Sequence, residues 1–342
     1  MSDTARPGPR NLITDVPGLK VGQAEDAETR TGVTVILPDR PAVAACDVRG
    51  GGPGTRETDA LEPENLVEAI HAIVLSGGSV YGLGAADGVT AALGARGVGF
   101  AFAPSAVIPP SPVVPAAILY DLGNGGDKAW RLEPPYRRLG LAALERASDH
   151  FALGTAGAGY GAMAGRLKGG TGSASIITPD GIVVGAIAAV NSFGAVTAPG
   201  TRSFWAAPFE IDGEFGGLGA GDLKAASDDW GDAKANPAAR QNTTIACVAT
   251  NISLTPAQAK RVAIMAQDGL ARAVRPAHAP FDGDVVFALS TAEQPLAEPR
   301  DRTVARIGAL AADTLARAIA RAVYEASPWS AEGPMCWRDL PG

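Results

Sequence analysis

Gln241-Asn242-Thr243-Thr244-Ile245-Ala246-Cys247-Val248-Ala249-Thr250 marks a change of character in the chain. Residues 195–240 before it are polar and glycine-rich, and the run after it is apolar and β-prone, with the composition of a strand. A threonine at such a junction has a chemical option that an internal threonine lacks. If the bond before Thr243 breaks, its hydroxyl and its own α-amine become nucleophile and base within one residue. The route would be attack of the hydroxyl on the Asn242 carbonyl, an N-to-O acyl shift, and hydrolysis of the ester. The liberated amine would titrate at about 8, well below a lysine, and so would take the hydroxyl proton at modest pH. The plain alternative is a threonine that merely opens a strand. Asn242-Thr243-Thr244 also fits a glycosylation acceptor, but nothing in the sequence points to secretion.

Downstream of the junction, Ile245–Ala249 reads as a strand, and a helix should start at Pro256. Thr255 is placed as its cap, with Gln258 three residues after the cap. Val262, Ile264, Leu270 and Val274 would form its apolar face. Val285–Leu289 reads as a strand. A long helix over 302–324 would turn Val304, Ile307, Leu310, Leu315, Ile319 and Val323 inward. The tail 327–342 reads as loop. Upstream, Ser173–Ile177 and Ile182–Asn191 form a hairpin around the turn Thr178-Pro179-Asp180-Gly181. Residues 195–240 are expected to be a long, mostly exposed loop, with Trp205 and Trp230 helping to order it. Earlier strands are expected at Val33–Leu37, Val43–Val48, Ala72–Ser76, Val98–Phe102 and Ala116–Tyr120, with helices over 82–94 and 139–147.

Many strands and a few long helices without a βαβ rhythm indicate an α+β layered fold. Residues 1–326 are expected to form a single domain. The segment 243–342 is too short to bury its helices without borrowed sheet surface, so a break at 242 would divide the chain and not the fold.

The chain has 342 residues, of which 46% are hydrophobic and 19% charged, and a net charge of −7. This is a folded composition with no basic stripe, which disfavours nucleic acid as a partner. Cys46, Cys247 and Cys336 are far apart and odd in number, so neither a zinc site nor a disulfide framework is expected. Met1-Ser2-Asp3-Thr4-Ala5-Arg6 lacks the apolar core of a signal peptide, and no run is apolar enough to cross a membrane. A cytoplasmic location, no membrane partner, and no metal or organic cofactor are the resulting expectations. His71, His150 and His278 form no metal spacing and read as packing, loop or cap residues.

Several motifs in order resemble the DmpA family of self-processing aminopeptidases (L-aminopeptidase/D-esterase). They are Asn11-Leu12-Ile13-Thr14-Asp15-Val16-Pro17-Gly18-Leu19, Arg49-Gly50-Gly51 with Pro53-Gly54-Thr55-Arg56-Glu57-Thr58-Asp59, Leu75-Ser76-Gly77-Gly78-Ser79-Val80-Tyr81-Gly82-Leu83, Lys168-Gly169-Gly170-Thr171-Gly172-Ser173, and Asn242-Thr243-Thr244-Ile245. The branch most resembled is that of the nylon-oligomer endo-hydrolases, because Asn-Thr precedes the strand and two aspartates follow later. The resemblance implies an αββα sandwich like that of N-terminal-nucleophile hydrolases, and autocleavage between Asn242 and Thr243 into 1–242 and 243–342. It also implies a homo-oligomer of such αβ units, a tetramer being favoured, and action on small peptides, amides or esters. Nylon (6-aminohexanoate) oligomers and β-peptides are the alternative substrates.

The resemblance also assigns residues. Thr243 is the nucleophile. Lys168 supports charge near it, against the reading of a solvated lysine. Asn191 donates to the tetrahedral oxyanion, against that of a turn residue. Asp282 and Asp284 both face the new amine, since positions two apart in a strand point the same way; outside the family such an Asp-Gly-Asp is a solvated turn. Tyr120 assists the oxyanion, with Tyr81 and Tyr136 as competitors. Three rival readings stand beside this one. They are a hydrolase using Ser79 or Ser173, neither of which sits in a nucleophile elbow; a nucleotide binder using Gly154–Gly159, whose spacing is not the dinucleotide fingerprint; and a noncatalytic assembly protein that keeps the fold.

Overall fold

The computed structural model describes residues 4–101, 103, 107–221, 223–225, 230–234, 242–330 and 333–341. Its strands are β1 (Leu19–Asp26), β2 (Thr31–Pro38), β3 (Val43–Val48), β4 (Thr55–Arg56), β5 (Ile73–Ser76), β6 (Ala116–Ile118), β7 (Met163–Ala164), β8 (Leu167–Lys168), β9 (Gly170–Ile177), β10 (Val183–Asn191), β11 (Thr243–Ile252) and β12 (Val285–Gln294). The helices are α1 (Gly84–Ala95), α2 (Tyr136–Glu145), α3 (Pro256–Ala273) and α4 (Arg300–Tyr324). One sheet runs β3-β12-β11-β10-β9 and the other β1-β2-β5-β6-β4, while β7 and β8 form a separate small hairpin.

The two sheets pack face to face, and each carries helices on its outer side. This is the αββα sandwich expected. Alternation along the strands explains the layering. In β11, Ile245, Cys247 and Ala249 enter the core between the sheets, while Ala246 and Val248 enter the core under α3 and α4. In β12, Val285, Phe287 and Leu289 take the first side, Val286 and Ala288 the second. Both faces are covered, so these strands read as continuous apolar runs rather than alternating ones. A third core lies between the other sheet and α1 and α2, where Val33, Val35 and Val74 meet Val89, Leu139 and Ala143.

Most of the expected elements are present within a few residues. The hairpin turn closes through Thr178 N–H to Ile182 O at 2.9 Å, with Gly181 at φ +86°. At α3, Gln258 N–H donates to Thr255 Oγ1 (3.3 Å) and Thr255 N–H to Gln258 Oε1 (2.9 Å), the reciprocal cap. The glycines at the start of β9 serve contact with α4. A Cβ on Gly172 would lie 1.9 Å from Ala318 O, so only glycine lets helix and strand approach so closely.

Three expectations need correction, and the tail, irregular over its described residues as expected apart from a 3-10 turn at Trp337–Asp339, packs closely on the body. Val98–Phe102 is not a strand: Phe100 makes an isolated bridge to Ser111, and Phe102 lies outside the described residues. Ile264 is half-buried and does not join the core. The segment 195–240 is not exposed over its first half, because Val196, Phe204, Ala206 and Phe215 are buried in the helix-side core. Its polar composition hid an aromatic anchor every few residues. The tail also turns inward. Trp337 is buried, stacks on Phe204 at 5.5 Å, and donates its indole N–H to Arg202 O at 2.8 Å. The three cysteines are free and buried, and among the described residues no helix is long and apolar enough to cross a membrane.

A buried ionic cluster joins the 195–240 segment to the body. Arg317 of α4 pairs with both oxygens of Glu214, donates to Ser175 O (2.9 Å), and reaches Asn11 Oδ1 (3.0 Å). The side chains of Arg317 and Glu214 are 2% and 8% exposed. Removing one partner leaves the other charge buried and uncompensated. Glu214→Ala should therefore lower the unfolding free energy by about 3–5 kcal/mol in urea titration. A loss under about 1 kcal/mol, the level of an exposed pair, would contradict this burial argument.

Candidate active site

Thr243 opens β11, and two neighbouring strands of opposite direction meet it there. Antiparallel pairing sets Asn191, the last residue of β10, directly opposite Thr243. Parallel pairing with β12 begins at Ile245 and Val285, and an isolated bridge between Asn242 and Asp282 continues the same register. By alternation from Ile245 and Ala189, Thr243 and Asn191 both face the layer between the sheets, at its end. Asn242, Thr243 and Asn191 are 0%, 2% and 2% exposed.

The Asn242 carbonyl accepts two hydrogen bonds. Gly283 N–H donates to it at 2.9 Å, and the Thr243 hydroxyl donates to it from the adjacent residue. Gly283 has to be glycine: a Cβ there would lie 2.6 Å from Thr243 Oγ1 and 3.1 Å from Gly52 O. The glycine loop after β3 holds this turn in place. Arg49 N–H and Gly50 N–H donate to Asp284 O (3.0 and 3.2 Å), and Gly52 N–H donates to Asp282 O (2.8 Å). The loop thus brings main chain against main chain, which explains its run of glycines.

Asp282 and Asp284 are both buried, but they lie just ahead of β12, Asp282 in the isolated bridge to Asn242, and not within a continuous strand. Their partners differ accordingly. Asp284 accepts from Thr244 N–H (2.8 Å), His278 N–H (3.1 Å) and the His278 ring at Nδ1 (2.9 Å). Asp282 accepts from Ala279 N–H at 2.8 Å. Burial, and then the negative charge of Asp284, push the Asp282 carboxyl well above the usual carboxylate range. Two backbone N–H groups and the Lys234 ammonium pull it the other way.

Asn191 uses both ends of its amide. Oδ1 accepts from Met163 N–H (2.9 Å) and from Lys234 Nζ (3.3 Å), while Nδ2 donates to Tyr120 O (2.9 Å). Tyr120 thus meets Asn191 through its backbone carbonyl. Of its competitors, Tyr136 is buried under α1 in the far core, and Tyr81 packs edge-on to Trp130 with 48% exposure.

Lys168 is fully buried across β10 from Thr243, in the β7–β8 hairpin. Its ammonium donates to Gly159 O (3.3 Å), Ala162 O (3.1 Å) and Gly169 O (2.7 Å), and lies 5.1 Å from the Trp329 ring centroid. With carbonyls and a ring for company, burial pushes its pKa down to about 7. Lys168 connects to Asn191 through Met163, which pairs with one and donates to the other.

The structure therefore gathers Thr243, Asn242, Asn191, Asp282 and Asp284 at one end of the inter-sheet layer, with Lys168 and the Tyr120 backbone at its margin. Four contributors escaped the sequence reading. Gly283 was legible in principle, because a glycine between two aspartates suggests close approach of main chain. His278, Lys234 and Trp329 carried no local signal.

A sandwich with a threonine-led strand at one end has the architecture of the N-terminal-nucleophile hydrolases. The fold of an L-aminopeptidase D-Ala-esterase/amidase from Ochrobactrum anthropi, whose structure is described as a variant of the Ntn hydrolase fold, superposes with a TM-score of 0.69 at 22% identity, over 99% of this chain and 95% of that one. The profile of peptidase family S58 matches residues 11–334, and the chain belongs to that family. It is 42% identical to an uncharacterized aminopeptidase of Mycobacterium bovis, over 96% of this chain and 98% of that protein. It is 32% identical to a 6-aminohexanoate-oligomer endohydrolase of Kocuria sp., over 84% of this chain and 76% of that protein.

The depressed pKa of Lys168 has a thermodynamic consequence. Above about pH 7 the folded chain sheds this proton while the unfolded chain keeps it up to about 10.4. Where the unfolded state binds more protons, stability rises with pH. The stability of the wild type relative to Lys168→Met should therefore increase from pH 7 to 10, read from paired urea titrations. A flat difference over that window would show that the ammonium is not desolvated.

Proposed function

We propose that this chain is a self-processing amide hydrolase whose nucleophile is Thr243, acting as an aminopeptidase on small peptides, amides or esters. One observation carries the reading: the Thr243 hydroxyl and the Gly283 N–H converge on the carbonyl oxygen of the bond to be cut. A carbonyl so held is polarised, and the attacking oxygen belongs to the next residue, so approach costs little entropy.

In the first reaction the Thr243 oxygen attacks the Asn242 carbonyl carbon. Negative charge gathers on Asn242 O, where the Gly283 N–H stabilises it. The C–N bond breaks, the hydroxyl proton ends on the Thr243 nitrogen, and an ester joins Asn242 to Thr243 Oγ1. Water hydrolyses the ester, leaving a carboxylate at Asn242 and a free amine and hydroxyl at Thr243. In the second reaction that amine takes the hydroxyl proton, and the oxygen attacks a substrate amide. Asn191 Nδ2 steadies the oxyanion, the product amine leaves with a proton, and water releases the acyl group. Asp282 and Asp284 hold the Thr243 ammonium while the threonine is acylated, and Lys168 balances charge across β10. Thr243 is 2% exposed in the unbroken chain, so access for substrate requires the residues ahead of the cut to move aside once the bond is broken.

Family membership and the mycobacterial aminopeptidase relative support the peptide and amide class. The Kocuria relative keeps 6-aminohexanoate oligomers within the substrate range. Assembly of several αβ units and a cytoplasmic location belong to the same reading.

Intact mass of purified wild type should show fragments 1–242 and 243–342, while Thr243→Ala stays whole and inactive toward aminoacyl amides. A whole wild-type chain with full activity would overturn the reading. Gly283→Ala should slow self-cleavage by more than about tenfold, because its Cβ displaces the attacking oxygen and about 1.4 kcal/mol suffices for that factor. Time-resolved gels after rapid synthesis would measure it, and cleavage at the wild-type rate would remove Gly283 from the mechanism.

A further inference from the structure

The last described residues before the junction, 230–234, are anchored independently of the bond at Asn242. Lys234 N–H donates to Phe193 O at 3.0 Å, and Arg166 holds Asp232 both through its backbone (3.0 Å) and as an ion pair (3.1 Å). Trp230 meets Phe193 edge-on at 5.5 Å, and Phe193 meets Phe281 at 4.7 Å, next to Asp282. This anchoring delivers the Lys234 ammonium to Asn191, 3.1 Å from its backbone O and 3.3 Å from Oδ1.

We propose that Lys234 is a positioning residue for both reactions of Thr243, holding the Asn191 amide in one orientation and placing a positive charge near Asp282 beside the scissile bond. The proposal rests on the reading of Thr243 as nucleophile. Its first part follows from donor and acceptor chemistry. The two ends of an asparagine amide have nearly the same shape, so partners decide which way it faces. A lysine ammonium can only donate, and Met163 N–H beside it can only donate as well. Together they hold Oδ1, so a flipped amide would set its NH2 against two donors. Nδ2 is therefore kept on the opposite side, where the amide can serve a developing oxyanion.

The second part follows from charge. The groups that act on Asp282 are the Asp284 carboxylate, whose far oxygen is held by His278, the N–H groups of Ala279 and Phe193, and the Lys234 ammonium. The ammonium is the only cation among them. Burial disfavours its charged form and Asp282 favours it, while the ammonium in turn favours the charged form of Asp282. Because the 230–234 segment is tied to Arg166 and Phe193, the lysine stays at the site when the bond after Asn242 is gone.

The test uses three full-length variants with a chromogenic aminoacyl amide. Lys234→Met removes both donor and charge. It should lower kcat by at least about tenfold with KM changed less than about threefold, the split expected when a group acts on the transition state rather than on substrate binding. Losing the cation also raises the pKa of Asp282, so the acid limb of the pH profile should move to higher pH. Lys234→Gln restores a donor without the charge. It should recover most of kcat on the alkaline side while keeping the displaced acid limb, a signature that simple loss of packing does not produce. If Lys234→Met does not fold, the Gln variant alone decides through that split. Wild-type kcat and acid limb in either variant would overturn the proposal, as would a loss of rate in both with the limb unmoved. Thr243→Ala separates the two layers: if it remains active, the nucleophile assignment has failed; if it is whole and inactive while Lys234→Met behaves as wild type, only the role of Lys234 has failed.

Discussion

Everything at the site depends on the double register of β11. Antiparallel pairing with β10 puts Asn191 opposite Thr243, and parallel pairing with β12 puts Asp282 beside Asn242 and Gly283 beside Thr243. A strand has a side-chain period of two, so a slip of one residue would turn Thr243 toward the helices and Thr244 toward the site. The buried, two-sided apolar pattern of β11 forbids that slip. Ile245 and Cys247 belong to the inter-sheet core, and Ala246 and Val248 to the core under α3 and α4. Hydrophobic burial far along the strand thereby sets the position of one hydroxyl at its end.

The sheet order also decides what cleavage at Asn242 would do to stability. In β3-β12-β11-β10-β9 the neighbouring strands β12 and β11 come from residues after 242, and the strands flanking them on either side come from residues before it. Neither part owns the whole of this sheet, although β1-β2-β5-β6-β4 comes entirely from residues before 242. Helices α3 and α4 cover strands of both parts, and the Arg317 cluster ties α4 to Asn11, Ser175 and Glu214. Opening the chain would cost no core contact, so a cut molecule keeps the same interior.

Much of the scaffold was legible because local chemistry and tertiary packing agree there. β3 spans Val43–Val48 as its apolar run implies, and the Thr255–Gln258 cap fixes the start of α3 where the sequence marks it. The reading failed where burial is supplied by scattered residues without a period. Phe204 and Phe215 sit in a glycine-rich stretch, and Trp337 in a short tail, yet they pack on one another and fill the helix-side core. The site shows the same division. Thr243 and Asn191 lie at strand ends that can be found from composition. The partition of the two aspartates between different partners, the use of the Tyr120 carbonyl, and the arrival of Lys234 from a polar loop are properties of chain crossings that no local pattern encodes.

The central claim is that the attacking oxygen and a free amine belong to one residue. Peptide mapping of enzyme quenched during turnover of an aminoacyl ester tests it most directly. The account predicts an acyl group on a peptide that begins at Thr243, with no acylation of Ser79 or Ser173. An acyl group on either serine, or on a Thr243 still joined to Asn242 in the active species, would contradict it.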